Sequence, residues 1–220
     1  MAMIGLAAKG IDLKALHARY VVLRRAARND ELFLILLAVV AGAVAAVGVI
    51  GMGNIGSRAA RYFHKAFDCQ ILAYDPYAKP DAWADLPHER MSDLKQLWPV
   101  VDLVTLHVPL TETTYHIVNR EAIALMKPSA MVINVSRGGL IDEVALFEAL
   151  SQGRLFGAGL DAFEEGEPPS ANNPLLSLRN VVATPHAGAG TVETQIKSSL
   201  LTAQQLWHVL QGNEPFHRVA

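Results

Sequence analysis

The chain has 220 residues, of which 18% are charged, and a formal net charge of −2 at pH 7. This length suits one large domain or one domain with attachments, and the balanced charge without a basic stripe argues against a nucleic-acid partner. A single cysteine, Cys69, excludes an internal disulfide and fits a reducing compartment, so we expect a cytoplasmic protein.

The first 46 residues are the hardest part of the chain to assign. A stretch without charge runs over residues 32–53, which is long enough to suggest a membrane span. Its far end, however, carries a glycine-rich turn that must be open to water. We therefore predict a buried helix over residues 29–41, then a turn and the first strand, and we expect no membrane association.

Residues 47–75, VGVIGMGNIGSRAARYFHKAFDCQILAYD, carry the pattern of a dinucleotide-binding unit. A short apolar run predicts a buried strand over residues 47–50, and a glycine turn and a helical pattern follow. A second apolar run over residues 70–74 predicts another strand, which ends at Asp75. The glycine turn, the helix, the second strand and the acidic residue therefore follow one another in the order that this pattern requires.

Each glycine of the turn has a predicted task. Gly51 permits the tight turn, Gly53 lets a pyrophosphate approach the backbone, and Gly56 lets the helix pack close to the strand. The free N–H groups at the helix start then face the phosphate charge. Asp75 can accept hydrogen bonds from both ribose hydroxyls and would repel a 2′-phosphate, so we predict NAD rather than NADP as the cofactor.

The remaining elements alternate between strand and helix. Residues 76–90 are polar, contain three prolines and predict a connection that can include a short helix. We predict further strands over residues 101–108, 131–135, 156–160 and 181–183, and helices over residues 92–97, 120–126, 142–151 and 191–211. Ser92 and Asn119 are the expected caps of the first two of these helices, and Gly212 is the expected stop of the last.

This alternation predicts the fold class. The strand segments are apolar without alternation, as strands covered on both faces should be. Parallel pairing through right-handed crossovers then gives an α/β fold with a doubly wound sheet of six strands, a Rossmann fold. Ligands of such sheets bind beyond the carboxyl ends of the strands. The residues at or just past those ends are Gly51, Asp75, His107, Ser136, Arg137, Asp161 and His186.

Three of these residues could do chemistry. Arg137 could hold a carboxylate through two parallel hydrogen bonds. His186, paired with a carboxylate such as that of Glu167, would keep one tautomer and suit a proton donor near neutral pH. Asp161 could accept a hydrogen bond from a carboxamide such as that of nicotinamide. The other histidines show no metal-ligand spacing, so we expect no metal.

Five segments carry a family resemblance: VGVIGMGNIG, LHVPLTETTYHIVN, MKPSAMVINVSRGGLID, GAGLDAFEEGEPP and NPLLSLRNVVATPHAGAGT. Over residues 47–212 the chain resembles the D-isomer-specific 2-hydroxyacid dehydrogenases, which include D-3-phosphoglycerate dehydrogenase and glyoxylate and hydroxypyruvate reductases. The resemblance implies an NAD-dependent oxidoreductase that transfers a hydride between nicotinamide and a small D-2-hydroxy acid or 2-keto acid. We also expect a homodimer, because apolar helix faces would otherwise stay uncovered.

The resemblance assigns roles to individual residues. Arg137 would orient the substrate carboxylate and carbonyl, His186 would be the acid–base group, and Glu167 its partner. Glu167 stands one residue further from Asp161 than is usual in the family, and Glu165 is a less favoured substitute. A formate dehydrogenase, the nearby alternative, would carry Gln in place of Glu167. Besides the three glycines of the turn, the implied cofactor contacts are Asn54, Ile55, Asp75, Val108, Val135, Ser136, Arg137, Asp161, His186 and Gly188.

The chain departs from the family before the first strand, where family members carry a substantial substrate domain. We expect residues 1–46 to be a remnant of that domain with its linking helix. Residues 47–188 would be the NAD-binding domain, and residues 189–220 a helix that returns toward the substrate domain. Because the catalytic cleft would then lack one wall, two hypotheses stay open: an active dehydrogenase, and an NAD(H)-binding remnant or sensing module with little turnover.

Overall fold

A computed structural model describes residues 46–79, 81–166, 168–188 and 190–216. The strands within these ranges are β1 (Ala46–Ile50), β2 (Gln70–Tyr74), β3 (Glu89–Arg90), β4 (Leu103–Leu106), β5 (Met131–Asn134), β6 (Gly157–Leu160) and β7 (Val181–Ala183). The α-helices are α1 (Gly56–Phe67), α2 (Leu94–Leu97), α3 (Arg120–Leu125), α4 (Glu143–Ser151) and α5 (Val192–Leu210). Short 3-10 turns cover Gly138–Leu140 and Pro174–Ser177.

The strands form one parallel sheet in the order β3-β2-β1-β4-β5-β6-β7. The chain runs outward from β1 to β3, then crosses back to β4 and runs outward in the other direction. Strand order therefore reverses between β1 and β4, and a crevice opens there at the carboxyl ends of the strands. The predicted α/β fold with a doubly wound parallel sheet is confirmed.

Helices cover both faces of the sheet, which explains why the strand sequences do not alternate. Every residue of β1, β4, β5 and β6 is buried. One core cluster packs Leu97 of α2, Ile123 of α3 and Leu146 of α4 against the sheet. A second cluster packs Ala60 and Phe63 of α1 against β1 and β2.

Three sequence-based expectations are wrong. The strand predicted over residues 101–108 is shorter, since β4 covers only Leu103–Leu106. The sheet has a seventh strand, β3, in the segment predicted to be a connection: Leu72 pairs with Glu89 and Ala73 with Arg90. A two-residue edge strand needs only backbone hydrogen bonds and no apolar side chain, so its sequence carries no strand signal. The cap of α2 is Asp93, whose side chain accepts a hydrogen bond from the N–H of Lys95, and not Ser92.

The other helix boundaries follow the expected chemistry. Asn119, Asp142 and Thr191 each cap a helix through a side-chain oxygen. The chain leaves α5 at Gly212, which has φ +83°. Among the described residues, α5 buries none of its side chains. The helix predicted over residues 29–41 lies outside the described ranges.

None of the helices in the described ranges combines the length and the apolar character that crossing a membrane would need.

Candidate functional site

The glycine turn after β1 depends on close backbone contacts. Gly51 has φ +87°, and its N–H donates to the carbonyl of Tyr74 at 2.9 Å. A Cβ on Gly56 would lie 1.9 Å from the carbonyl oxygen of Gly51, and a Cβ on Gly51 would lie 2.5 Å from that of His107. The end of β1, the start of α1 and the end of β4 therefore pack backbone to backbone, as only glycine allows.

The turn also has an open side. A Cβ on Gly53 would meet nothing within 4 Å, and Gly53, Asn54 and Ile55 are exposed. Ile55 precedes α1 without a side-chain cap, and the first turn of α1 contains no acidic residue. The start of α1 thus has no side-chain cap and lies beside open space, an arrangement that fits the pyrophosphate of a dinucleotide.

Asp75 lies beside this turn at the end of β2. Its Oδ2 accepts a hydrogen bond from the N–H of Met52 at 2.9 Å, and its Oδ1 accepts one from the N–H of Tyr77 at 3.0 Å. These bonds hold the half-buried carboxylate next to the glycines. Each carboxylate oxygen keeps further acceptor capacity, as ribose hydroxyls would require.

The end of β4 forms the neighbouring wall. The N–H of His107 donates to the carbonyl of Ile50 at 2.8 Å, and the hydroxyl of Thr105 lies 3.1 Å from His107 Nε2. Burial lowers the pKa of His107 to about 4, so its ring is neutral at physiological pH. Val108 reaches over the turn, with Cγ1 2.7 Å from the position of a Cβ on Gly51.

At the end of β5, the buried side chain of Asn134 organises the chain around Arg137. Its amide nitrogen donates to the carbonyl of Arg137 at 2.7 Å, and its amide oxygen accepts from the N–H of Ser136 at 3.1 Å. The Ser136 hydroxyl donates to the carbonyl of Leu106 at 2.7 Å, which ties this segment to β4. Val135 is half-buried, and the exposed Arg137 donates from Nη1 to the Ser136 carbonyl at 2.7 Å.

At the end of β6, Asp161 holds the loop that follows β7. Its carboxylate, only 2% exposed, accepts hydrogen bonds from the hydroxyl of Thr184 and from the N–H groups of Ala187 and Gly188, at 2.9 and 3.2 Å. His186 lies inside this loop with φ +55°, a left-handed conformation that is uncommon outside glycine. The described contacts of Asp161 therefore fix the segment that carries His186.

Sequence reasoning missed Asn134 and Thr184. Asn134 did carry a signal, because it is the one amide in the apolar run MVIN and stands directly before the candidate segment. Thr184 carried none, since a threonine before a proline is common in loops. Asn134 acts within its own turn, on Ser136 and Arg137, whereas Thr184 donates to Asp161 from a distant segment of the chain.

The candidate residues thus form a row along the carboxyl edge of the sheet. Hydrogen bonds or packing join Asp75 to the glycine turn, that turn to the end of β4, and β4 to Ser136. Arg137 and His186 follow β5 and β7, with β6 between them. Neighbouring strands are about 4.8 Å apart, so those two strand ends are separated by about 10 Å. Glu167 lies outside the described residues.

Comparisons with known proteins identify the family of the chain. Residues 39–188 match the family model described as "D-isomer specific 2-hydroxyacid dehydrogenase, NAD binding domain", so the predicted family and the predicted cofactor, NAD, are confirmed. The chain is 48% identical over 166 residues to D-3-phosphoglycerate dehydrogenase of Methanocaldococcus jannaschii, covering 76% of this chain and 31% of that protein. It is also 48% identical over 166 residues to hydroxypyruvate reductase of Thermotoga maritima, covering 74% and 52%.

A solved structure of D-lactate dehydrogenase with NAD+ from Lactobacillus jensenii is similar as well. The TM-score is 0.71 at 28% sequence identity, and the match covers 80% of this chain and 55% of that one. The chain spans about a third to a half of the length of the curated relatives that it matches.

Proposed function

The chain belongs to the D-isomer specific 2-hydroxyacid dehydrogenase family, and we propose that it transfers a hydride between NAD(H) and a small D-2-hydroxy acid or 2-keto acid. One observation carries this proposal: the glycine turn, Asp75 and the segments of Arg137 and His186 all lie along one carboxyl edge of the sheet. The crevice at that edge is where doubly wound folds bind their ligands.

The cofactor end of the site is proposed to use the open side of the glycine turn. Gly53 and the N–H groups at the start of α1 would hold the pyrophosphate, and Asp75 would accept the ribose hydroxyls. The other proposed contacts are Gly51, Asn54, Ile55, Gly56, Val108, Val135, Ser136, Arg137, Asp161, His186 and Gly188. Because Asp161 already accepts three hydrogen bonds within the chain, its main contribution is to fix the loop around His186.

The reacting end of the site is proposed to use Arg137, His186 and Glu167. Bound NADH supplies the hydride. The guanidinium of Arg137 holds the substrate carboxylate and stabilises the negative charge that develops on the carbonyl oxygen during reduction. His186 donates a proton to that oxygen, and in the reverse direction it accepts the proton from the hydroxyl. Glu167 holds the imidazole of His186 in the required tautomer.

The domain organisation supports this assignment. We propose that residues 47–188 are the cofactor domain, that residues 1–46 belong with the substrate domain and its linking helix, and that residues 189–220 return toward that domain. The family match ends at residue 188, and α5, which follows, buries none of its side chains among the described residues. A helix that packs on a different body would have this character.

We also propose that the protein is a homodimer in the cytoplasm. Large apolar side chains of α5 are exposed, with Ile196 at 57%, Trp207 at 65% and Leu210 at 71%. Such a face favours association, and the single cysteine fits a reducing compartment. The mass in dilute solution tests the assembly, and a monomer would contradict it.

Two measurements on the purified protein test the proposed function. NADH binding is followed by titration, and NADH oxidation is followed with small 2-keto acids, including the glyoxylate and hydroxypyruvate that relatives reduce by name. We expect binding and oxidation with at least one acid. Binding without oxidation would instead support the NAD(H)-binding module, and the absence of binding would contradict both functions.

A further inference from the structure

A carboxylate outside the predicted catalytic set joins two loops at the carboxyl edge of the sheet. Oε1 of Glu164 accepts a hydrogen bond from the hydroxyl of Tyr115 at 2.9 Å and lies 3.0 Å from Nε2 of His116. The rings of Tyr115 and His116 are stacked, with 3.9 Å between centroids and 17° between planes. We call Tyr115, His116 and Glu164 the Glu164 clasp; it links the loop after β4 to the segment after β6.

The turn that carries Arg137 lies between these two loops. On one side, the N–H of His116 donates to the carbonyl of Gly139 at 2.8 Å. On the other side, a Cβ on Gly138 would lie 2.0 Å from the carbonyl oxygen of Phe163, so the two backbones are in direct contact. The Glu164 clasp therefore closes a ring around the residues that directly follow Arg137.

The backbone conformation of His116 indicates that the surrounding contacts hold this residue in place. His116 has φ +48°, a left-handed conformation that is unfavourable for a residue with a Cβ. In this conformation its N–H reaches Gly139 while its ring reaches Glu164. Unfavourable backbone conformations of this kind persist where surrounding contacts determine them, and they cluster near functional sites.

A second carboxylate, that of Glu143, holds the backbone of the Glu164 clasp. Oε1 of Glu143, at the start of α4, accepts a hydrogen bond from the N–H of Glu164, and its Oε2 accepts one from the buried amide of Asn173 at 3.1 Å. Burial raises the pKa of Glu143, and these two hydrogen bonds act in the opposite direction. The segment after β6 is thus held at Glu164 through both its backbone and its side chain.

We infer that Glu164 is a positioning residue, which holds the Arg137 turn in the geometry that binds the carboxylate of a 2-keto acid. This inference rests on the proposed function. Glu164 would not touch the substrate. It acts through the turn at Gly138 and Gly139. Along the chain, Glu164 precedes Glu167, the proposed partner of His186, by three residues.

The inference separates substrate binding from cofactor binding. The glycine turn and Asp75 make none of the contacts described for the Glu164 clasp, so loss of the clasp should change NADH affinity less than it changes 2-keto acid binding. A guanidinium that is no longer held in place should weaken 2-keto acid binding, because small displacements of a positioning group are costly. For Glu164→Ala we expect KM for the 2-keto acid to rise about tenfold or more, with a much smaller change in the dissociation constant of NADH.

The test combines steady-state kinetics with amide hydrogen exchange in the full chain. The variants are Glu164→Ala, Glu164→Gln, which keeps an acceptor oxygen, and Tyr115→Phe, which removes one donor from an exposed ring. Glu112→Ala is the matched control, since Glu112 is an exposed carboxylate in the same loop as Tyr115. Exchange is compared between the peptides covering residues 116–118 and 137–141 and those of β1 and β2.

Faster exchange confined to those two peptides in Glu164→Ala, a raised KM and near-normal values for Glu164→Gln would support the inference. The inference is overturned if exchange there is unchanged, if it rises equally across the sheet, or if Glu112→Ala has the same effect. If Glu164→Ala shows the faster local exchange but the wild type oxidises no NADH, the clasp is supported and the proposed function is contradicted. Failure of the inference and failure of the proposed function are therefore distinguishable.

Discussion

The carboxylate of Asp75 accepts a hydrogen bond from the backbone N–H of Met52, with 2.9 Å between Oδ2 and the nitrogen. This bond places a negative charge at the end of β2 beside the open glycine turn. We therefore expect Asp75 to set the choice between the two nicotinamide cofactors, because it can accept the ribose hydroxyls of NADH and repels the 2′-phosphate of NADPH.

Replacing Asp75 by Ser should weaken NADH binding by about tenfold or more, since hydrogen bonds to a charged acceptor contribute about 1.5–3 kcal/mol. Binding of NADPH should weaken less or improve. Fluorescence titration with both cofactors measures the ratio, and Glu112→Gln, at an exposed loop carboxylate, serves as the control. An unchanged ratio would remove Asp75 from the cofactor site.

Two glycines of the turn should respond in opposite ways to the same added methyl group. A Cβ at Gly56 would lie 1.9 Å from the Gly51 carbonyl oxygen, so Gly56→Ala must shift backbone and should lower the free energy of unfolding by several kcal/mol. At Gly53 the same Cβ meets open space, so Gly53→Ala should fold with nearly unchanged stability and bind NADH poorly. Urea unfolding and NADH titration on both variants provide the comparison; normal NADH affinity in Gly53→Ala would contradict the proposed cradle.

The parallel pairing of the main strands could be predicted because strands covered on both faces must be apolar throughout. The edge strand β3 could not, since Glu89 and Arg90 belong to it only through backbone pairing with β2. The third predicted strand was also too long. Residues 101–102 and 107–108 lie outside β4, and Val101 donates its N–H to the carbonyl of Leu97.

In the candidate site, too, some parts could be predicted from the sequence and others could not. The glycine turn and Asp75 could be placed from sequence because their spacing reflects one local unit of strand, turn and helix. Part of the support around Arg137 and His186 could not, because Thr184 and Glu164 act through hydrogen bonds between segments far apart in the chain. Such contacts leave no periodic pattern in the sequence.

The pKa of His107, lowered by burial to about 4, makes stability depend on pH. Between the ordinary value of 6.5 and about 4 the unfolded chain binds a proton that the folded chain rejects, so stability falls as pH decreases through this window. The shift corresponds to a loss of about 3 kcal/mol below the lower value. His107→Gln should lose less stability than the wild type over that range in urea unfolding. If the free energy of unfolding depends on pH in the same way in the wild type and in His107→Gln, His107 is not the group that causes the loss of stability.

Cys69 should be chemically inert in the folded protein. Its side chain is 1% exposed, and burial raises its pKa to about 11, with further contributions from Asp68 and Asp102. Because the thiolate is the reactive form, alkylation near pH 8 should be slow in buffer and complete in urea. Mass spectrometry of samples alkylated with iodoacetamide measures both; rapid labelling of the folded chain would indicate that the start of β2 opens readily.

The measurement that tests the central claim most directly is the rate of NADH oxidation with a 2-keto acid, compared between the wild type and His186→Ala. The account predicts oxidation by the wild type and a rate lower by about two to four orders of magnitude in the variant, with NADH binding nearly intact. Equal rates in the two proteins would contradict the proposed role of His186 and the mechanism built on it.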